Sequence, residues 1–101
     1  MEFRLSVSSN PKKKFMVSFT NPKTNRIKTI HFGAKGYDDY TTSKDPERKD
    51  RYLKRHKSNE DWNDLERPGT WARYLLWNEP TLAKSIKSMQ KLFKIKIIQG
   101  A

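Results

Sequence analysis

Three short segments in the first third of the chain alternate apolar and polar side chains with period two, and no other feature limits the fold as much. Phe3, Leu5 and Val7 share one strand face, and Phe15, Val17 and Phe19 share another. Ser9-Asn10-Pro11 lies between them with turn chemistry, and Asn21-Pro22 with Thr24-Asn25 supplies a second turn. A third strand is expected over residues 26–32, with Ile30 and Phe32 facing inward. Alternation of this kind means one buried face and one wet face. Residues 1–35 therefore predict an antiparallel three-stranded meander.

The buried face needs a cover, and the following residues supply helices. Asp45-Pro46-Glu47 places an N-cap, a proline at the first helical position and an acid in the first turn, so a helix is expected to about Lys57. At about 100° per residue, Lys49, Tyr52, Leu53 and His56 fall on one side. Arg48, Arg51, Lys54 and Arg55 fill an arc of roughly 120° on the other. Residues 58–62 read as a capped turn carrying Trp62 inward, and residues 67–70 as a connector. Residues 71–77 are apolar nearly all round and predict a short, well-buried helix.

Asn78-Glu79-Pro80 precedes a last helix in which Leu82, Ile86, Met89 and Phe93 form an apolar stripe opposite Lys84, Lys87 and Lys91. Residues 94–101 are expected to close the sheet, with Ile95 and Ile97 on one face. The expected fold is thus α+β: one domain over residues 1–101, its small antiparallel sheet (the meander plus a C-terminal strand) packed against two or three helices from residues 36–93. Three Trp, four Tyr and five Phe offset a hydrophobic fraction of only 34%. A chain of 101 residues supports one core, without room for a deep catalytic cavity as well.

The net charge is +11 and is unevenly spread. It is +7 over residues 1–36, −1 over residues 37–69 and +5 over residues 70–101. Such a balance points to a polyanion or the acidic face of another protein. Cysteine is absent, which excludes disulfides and thiolate chemistry and fits a reducing, intracellular setting. Apolar runs are too short to span a membrane, and the N-terminal alternation is unlike a signal peptide.

Catalytic constellations are hard to assemble from these residues. His31 and His56 lack neighbours at metal-ligand spacing, so both are read as structural. Asp38, Asp39, Glu47, Glu60 and Asp61 are the carboxylates that a Mg²⁺-dependent nuclease would gather, but they follow no such motif. Asp45, Glu47 and Asp61 are accounted for as caps or first-turn charges. No catalytic residue, cofactor, metal site or small-molecule substrate is expected. Gly33, Lys35 and Gly36 form a turn too short for a Walker motif, though a small backbone nest for an anion could sit there.

The basic residues carry more. Lys12, Lys13 and Lys14 follow a proline turn at a hairpin tip with no neighbouring acid in sequence. The arginine arc is discounted by two i,i+4 pairs, Glu47–Arg51 and Asp50–Lys54. The hairpin tip and the C-terminal lysines therefore rank ahead of Arg48, Arg51, Lys54 and Arg55 as contacts for phosphate or an acidic partner. Trp62, Trp71 and Trp77 are assigned to the core, which leaves Tyr37 and Tyr40 as exposed stacking platforms. No motif for base-specific readout is present.

Residues 31–62, HFGAKGYDDYTTSKDPERKDRYLKRHKSNEDW, and residues 75–89, LLWNEPTLAKSIKSM, carry a family resemblance. They resemble the small basic proteins, often in several copies, of large double-stranded DNA viruses of algae and protists (mimivirus- and phycodnavirus-like). The matching features are Gly33, Gly36, Tyr37, Asp39 and Tyr40, then Lys44-Asp45, Arg51-Tyr52, Arg55-His56, Leu76-Trp77-Asn78 and Pro80-Thr81. Where the family often has a histidine before the Lys-Asp pair, this chain has Ser43. No metal or proton-transfer role is therefore carried over to that position.

The resemblance implies a location in the virion, or otherwise inside the infected host cell. Joined to the charge split, it leads to the expectation of a non-enzymatic minor capsid protein that bridges larger subunits through basic surfaces. A sequence-independent nucleic-acid-binding protein on the viral genome is the alternative, and a metal-dependent nuclease the third reading.

Overall fold

A computed structural model describes residues 1–100. Its N-terminal meander consists of β1 (Glu2–Val7), β2 (Lys13–Thr20) and β3 (Ile27–Ala34). Arg4 faces Ser18 across the first antiparallel pair, and Val17 faces Ile30 across the second. The turn chemistry forms as the residues dictate. Asn10 accepts from the Lys12 and Lys13 backbone N–H groups, and Asn25 closes the second turn at φ 57°.

The last strand, β4 (Lys96–Gln99), pairs with β1 in the parallel sense, with Phe3 opposite Ile97. The sheet order is β3-β2-β1-β4, so the sheet is mixed and not wholly antiparallel as expected. The reason lies in the connection. A parallel neighbour needs a crossover, and all the helices lie between β3 and β4 in the chain.

Those helices are α1 (Tyr40–Ser43), α2 (Pro46–His56), α3 (Pro68–Trp71) and α4 (Leu82–Phe93). Asp45 caps α2, accepting from the Glu47 and Arg48 N–H groups, and Thr81 caps α4 through the Lys84 N–H. Residues 71–77 do not form one regular helix. After α3 the chain widens into a single π turn, Ala72–Leu76, closed by the Trp77 N–H donating to the Ala72 carbonyl. This extra residue in the turn sends Leu75 and Leu76 into the core and leaves Trp77 only partly buried.

One core joins the layers. Phe3, Val17, Phe32, Trp71, Leu75 and Met89 are each at most 1% exposed. Phe3 meets Phe19 and Trp71 at ring-centroid distances of 5.0 and 5.1 Å. The Trp71 indole N–H donates to the Leu65 carbonyl at 2.8 Å, which satisfies the one polar atom this side chain brings inside. The 61–67 connector is tied down as well, because the buried Thr70 hydroxyl reaches the Asp61 and Asp64 carbonyls.

Candidate functional site

Gly33 determines how closely the end of the β2–β3 ladder approaches the helical layer. It adopts φ +80°, and a Cβ there would lie 2.8 Å from Leu76 Cδ1 and 3.2 Å from Lys14 Cβ. Only glycine meets both conditions. With the strand end and the π turn this close, a cleft of about 510 Å³ opens beside them, with Lys14, Ala34, Leu76 and Trp77 among its lining residues.

Lys14 is therefore not a free cation at a hairpin tip. Its Nζ donates to Asp39 Oδ2 at 2.5 Å, and only 4% of the Asp39 side chain is exposed. The acid comes from 25 positions away, so local sequence could not reveal it. Asp39 caps α1 at the same time: its Oδ1 accepts from the Thr41 N–H and hydroxyl, and the Asp39 N–H donates to Thr42 Oγ1. Both oxygens of this carboxylate are engaged, as a buried charge requires. Lys12 remains exposed and Lys13 partly buried, and neither lines the cleft.

The opposite wall is α2. Arg48, Arg51, Tyr52 and Arg55 stand at i, i+3, i+4 and i+7, which is one helical strip, and all four line the cleft. Arg48 Nη1 reaches Asp38 Oδ2 at 3.3 Å in an exposed pair. Among the described residues Arg51 and Arg55 have no ionic partner. The expected Glu47–Arg51 pair is not formed, whereas Asp50–Lys54 is, at 3.0 Å, and Lys54 does not line the cleft. The cleft thus holds four cationic side chains against two carboxylates, and both carboxylates already have partners.

Aromatic rings form its inner boundary. Tyr52 stacks on Trp77 with centroids 4.3 Å apart and planes within 4°, and His56 covers Tyr52 at 4.3 Å. Burial and the neighbouring Glu60 carboxylate push the Tyr52 hydroxyl pKa up to about 12. Trp77 is held through its backbone, because Arg73 Nη1 donates to its carbonyl at 3.1 Å. The Arg73 guanidinium lies over the rings of Trp62 and Tyr74, and its burial lowers its pKa. Lys49 and Lys44 fasten the α1–α2 unit to the same turn, donating to the Asn78 and Pro80 carbonyls.

The remaining expected contacts lie elsewhere. Lys84, Lys87 and Lys91 are exposed along α4 beside a shallow depression with Glu79 and Ser88, and none forms an ion pair among the described residues. The Gly33–Gly36 turn is not an open anion nest. The Lys35 N–H donates to the Lys12 carbonyl and the Tyr37 N–H to the Ala34 carbonyl.

Tyr37 is 74% exposed at the cleft rim, whereas Tyr40 is partly buried with Lys49 Nζ 5.0 Å from its ring centre. His31 Nδ1 shares a hydrogen bond with the Ser8 hydroxyl, 2.7 Å away. No group of three or more His, Asp or Glu among the described residues is placed to share a metal ion. No helix is long and apolar enough to cross a membrane.

Sequence reasoning overlooked Tyr52, Trp77 and the two aspartates as parts of one site. The strip Arg48, Arg51, Tyr52, Arg55 was readable from spacing alone, once Tyr52 is counted on the edge of the arginine face. Residues 3–56 match a family of unknown function (DUF5754). No curated protein and no solved structure matches the chain.

Proposed function

We propose that this chain, which belongs to the DUF5754 family of unknown function, is a non-enzymatic protein that binds nucleic acid without reading its sequence. The observation that carries this reading is the pair of arginines, Arg51 and Arg55, without an ionic partner among the described residues, on one wall of a cleft whose inner boundary is aromatic. Guanidinium forks one helical turn apart suit successive phosphate oxygens. The polar groups of the cleft are cations suited to phosphate and carboxylates that already have partners, so base identity has little to act on. Both arginines, Lys14 and both aspartates fall within the span matched by the family. The resemblance to proteins of large DNA viruses adds a genome as the natural target.

The test is binding of a fluorescent 20-nucleotide oligomer, followed by anisotropy at two salt concentrations. Affinity should fall steeply with salt. The double substitution Arg51→Gln and Arg55→Gln should weaken binding at least tenfold and flatten the salt dependence by about one to two in log–log slope. No binding near physiological salt would overturn the proposal.

One observation favours a second reading, that of a minor capsid protein bridging larger subunits in the virion. Lys84, Lys87 and Lys91 share no lining residue with the cleft, so the molecule presents two distinct basic surfaces, as a bridge between acidic faces would need. Particles stripped of their genome discriminate the two. A capsid bridge stays with the shell, and a genome-bound protein leaves with the DNA.

A further inference from the structure

We infer that the cleft takes a single nucleic-acid strand, with its phosphates along Arg51 and Arg55 and a base against Tyr37, and that it disfavours a duplex. This rests on the nucleic-acid reading above and narrows its ligand.

The two walls of the cleft differ in sign. All its arginines come from one strip of α2. Facing them, the loop wall presents the exposed carboxylate of Asp38, and its one lysine, Lys14, is already neutralised by the buried Asp39. A duplex carries two rows of phosphate, and seating one across the cleft sets the second row against the loop wall. Here the second row would meet the exposed Asp38 carboxylate and no free cation among the described residues. A single strand has one row, which the arginine strip can follow, and its bases turn away from that row toward the other wall.

The rim on that side is suited to a base. Tyr37 is 74% exposed, an unusual fraction for a ring held between Gly36 and a capped helix start. Its backbone is fixed by the hydrogen bond to Ala34 and by the Asp39 cap two residues on. The ring is therefore exposed yet mounted on an ordered loop, which lowers the entropy lost on stacking. Trp77 and Tyr52, by contrast, already occupy one face of each other. They bound the cleft but leave Tyr37 as the free aromatic platform.

The experiment compares a labelled 20-nucleotide single strand with the same sequence annealed to its complement. It uses the full chain and the variants Tyr37→Ala, Asp38→Asn and Asp50→Asn. The wild type should bind the single strand at least tenfold more tightly. Tyr37→Ala should weaken single-strand binding about tenfold and change duplex binding less than twofold. Asp38→Asn should improve duplex binding more than Asp50→Asn does, although both remove one negative charge; Asp50 pairs with Lys54 outside the cleft. Circular dichroism of each variant confirms that it is folded.

Equal affinity for the two forms, with Tyr37→Ala neutral, would overturn the single-strand assignment. The general reading would survive that result if Arg51→Gln with Arg55→Gln still abolished binding. If neither form bound, both proposals would fall together.

Discussion

The strip on α2 and the row on α4 are both lines of cations on amphipathic helices, and both are exposed. They differ in what stands opposite them. Arg48, Arg51 and Arg55 look across a cleft at an ordered loop, with Tyr52 and Trp77 between. Lys84, Lys87 and Lys91 border an open depression with Glu79 and Ser88, without an aromatic ring. Charge density alone ranks the two surfaces equally. Walls distinguish them: one can hold a ligand in a defined pose, and the other offers attraction without geometry.

The comparison breaks first, if it breaks, at the loop wall. Asp39→Ala should destabilise the fold by about 3 kcal/mol, because it strips α1 of its cap and leaves Lys14 largely buried without a partner. Lys87→Gln on the open surface should change stability by less than about 0.5 kcal/mol. Urea denaturation measures both; similar values would show that the wall is not built as described. Next in size is Gly33→Ala, expected to cost about 2 kcal/mol from the positive φ and the contact with Leu76. Thermal unfolding reads it, and a relieving second change, Leu76→Val, should recover part of the loss.

A third prediction uses pH. The Tyr52 pKa is raised from 10.0 to about 12 in the folded protein. The unfolded chain therefore gives up this proton first, and stability should fall as pH rises from about 10 to 12. The fall should shrink in Tyr52→Phe, as followed by unfolding midpoints across that range. A last prediction concerns the cap of the other helix. Thr81→Ala removes the N-cap of α4 and should cost about 1 kcal/mol without altering oligonucleotide affinity.

Local signals were legible, and signals spanning many residues were not. Period two marked β1 to β3, and Asp45-Pro46 marked the start of α2, since each depends on residues within a few positions. The parallel seat of β4 depends on where α4 delivers the chain, which no short window contains. Lys14 was misplaced for the same reason, since its acid lies in a loop beyond another strand. The break at residues 72–76 is subtler. An apolar run reads alike whether the backbone closes at four residues or five, and only the packing of Leu75 and Leu76 selects the wider turn.

The pairing of β1 with β4 also bears on how the chain comes to be folded. Glu2 meets Lys96 and Leu5 meets Gln99, so the first strand finds its second neighbour only beyond the whole helical region. Until that pairing forms, the three-stranded meander keeps the free edge of β1 open to any passing partner. A change that unseats β4, such as Ile97→Asp, would leave that edge open, and self-association should follow.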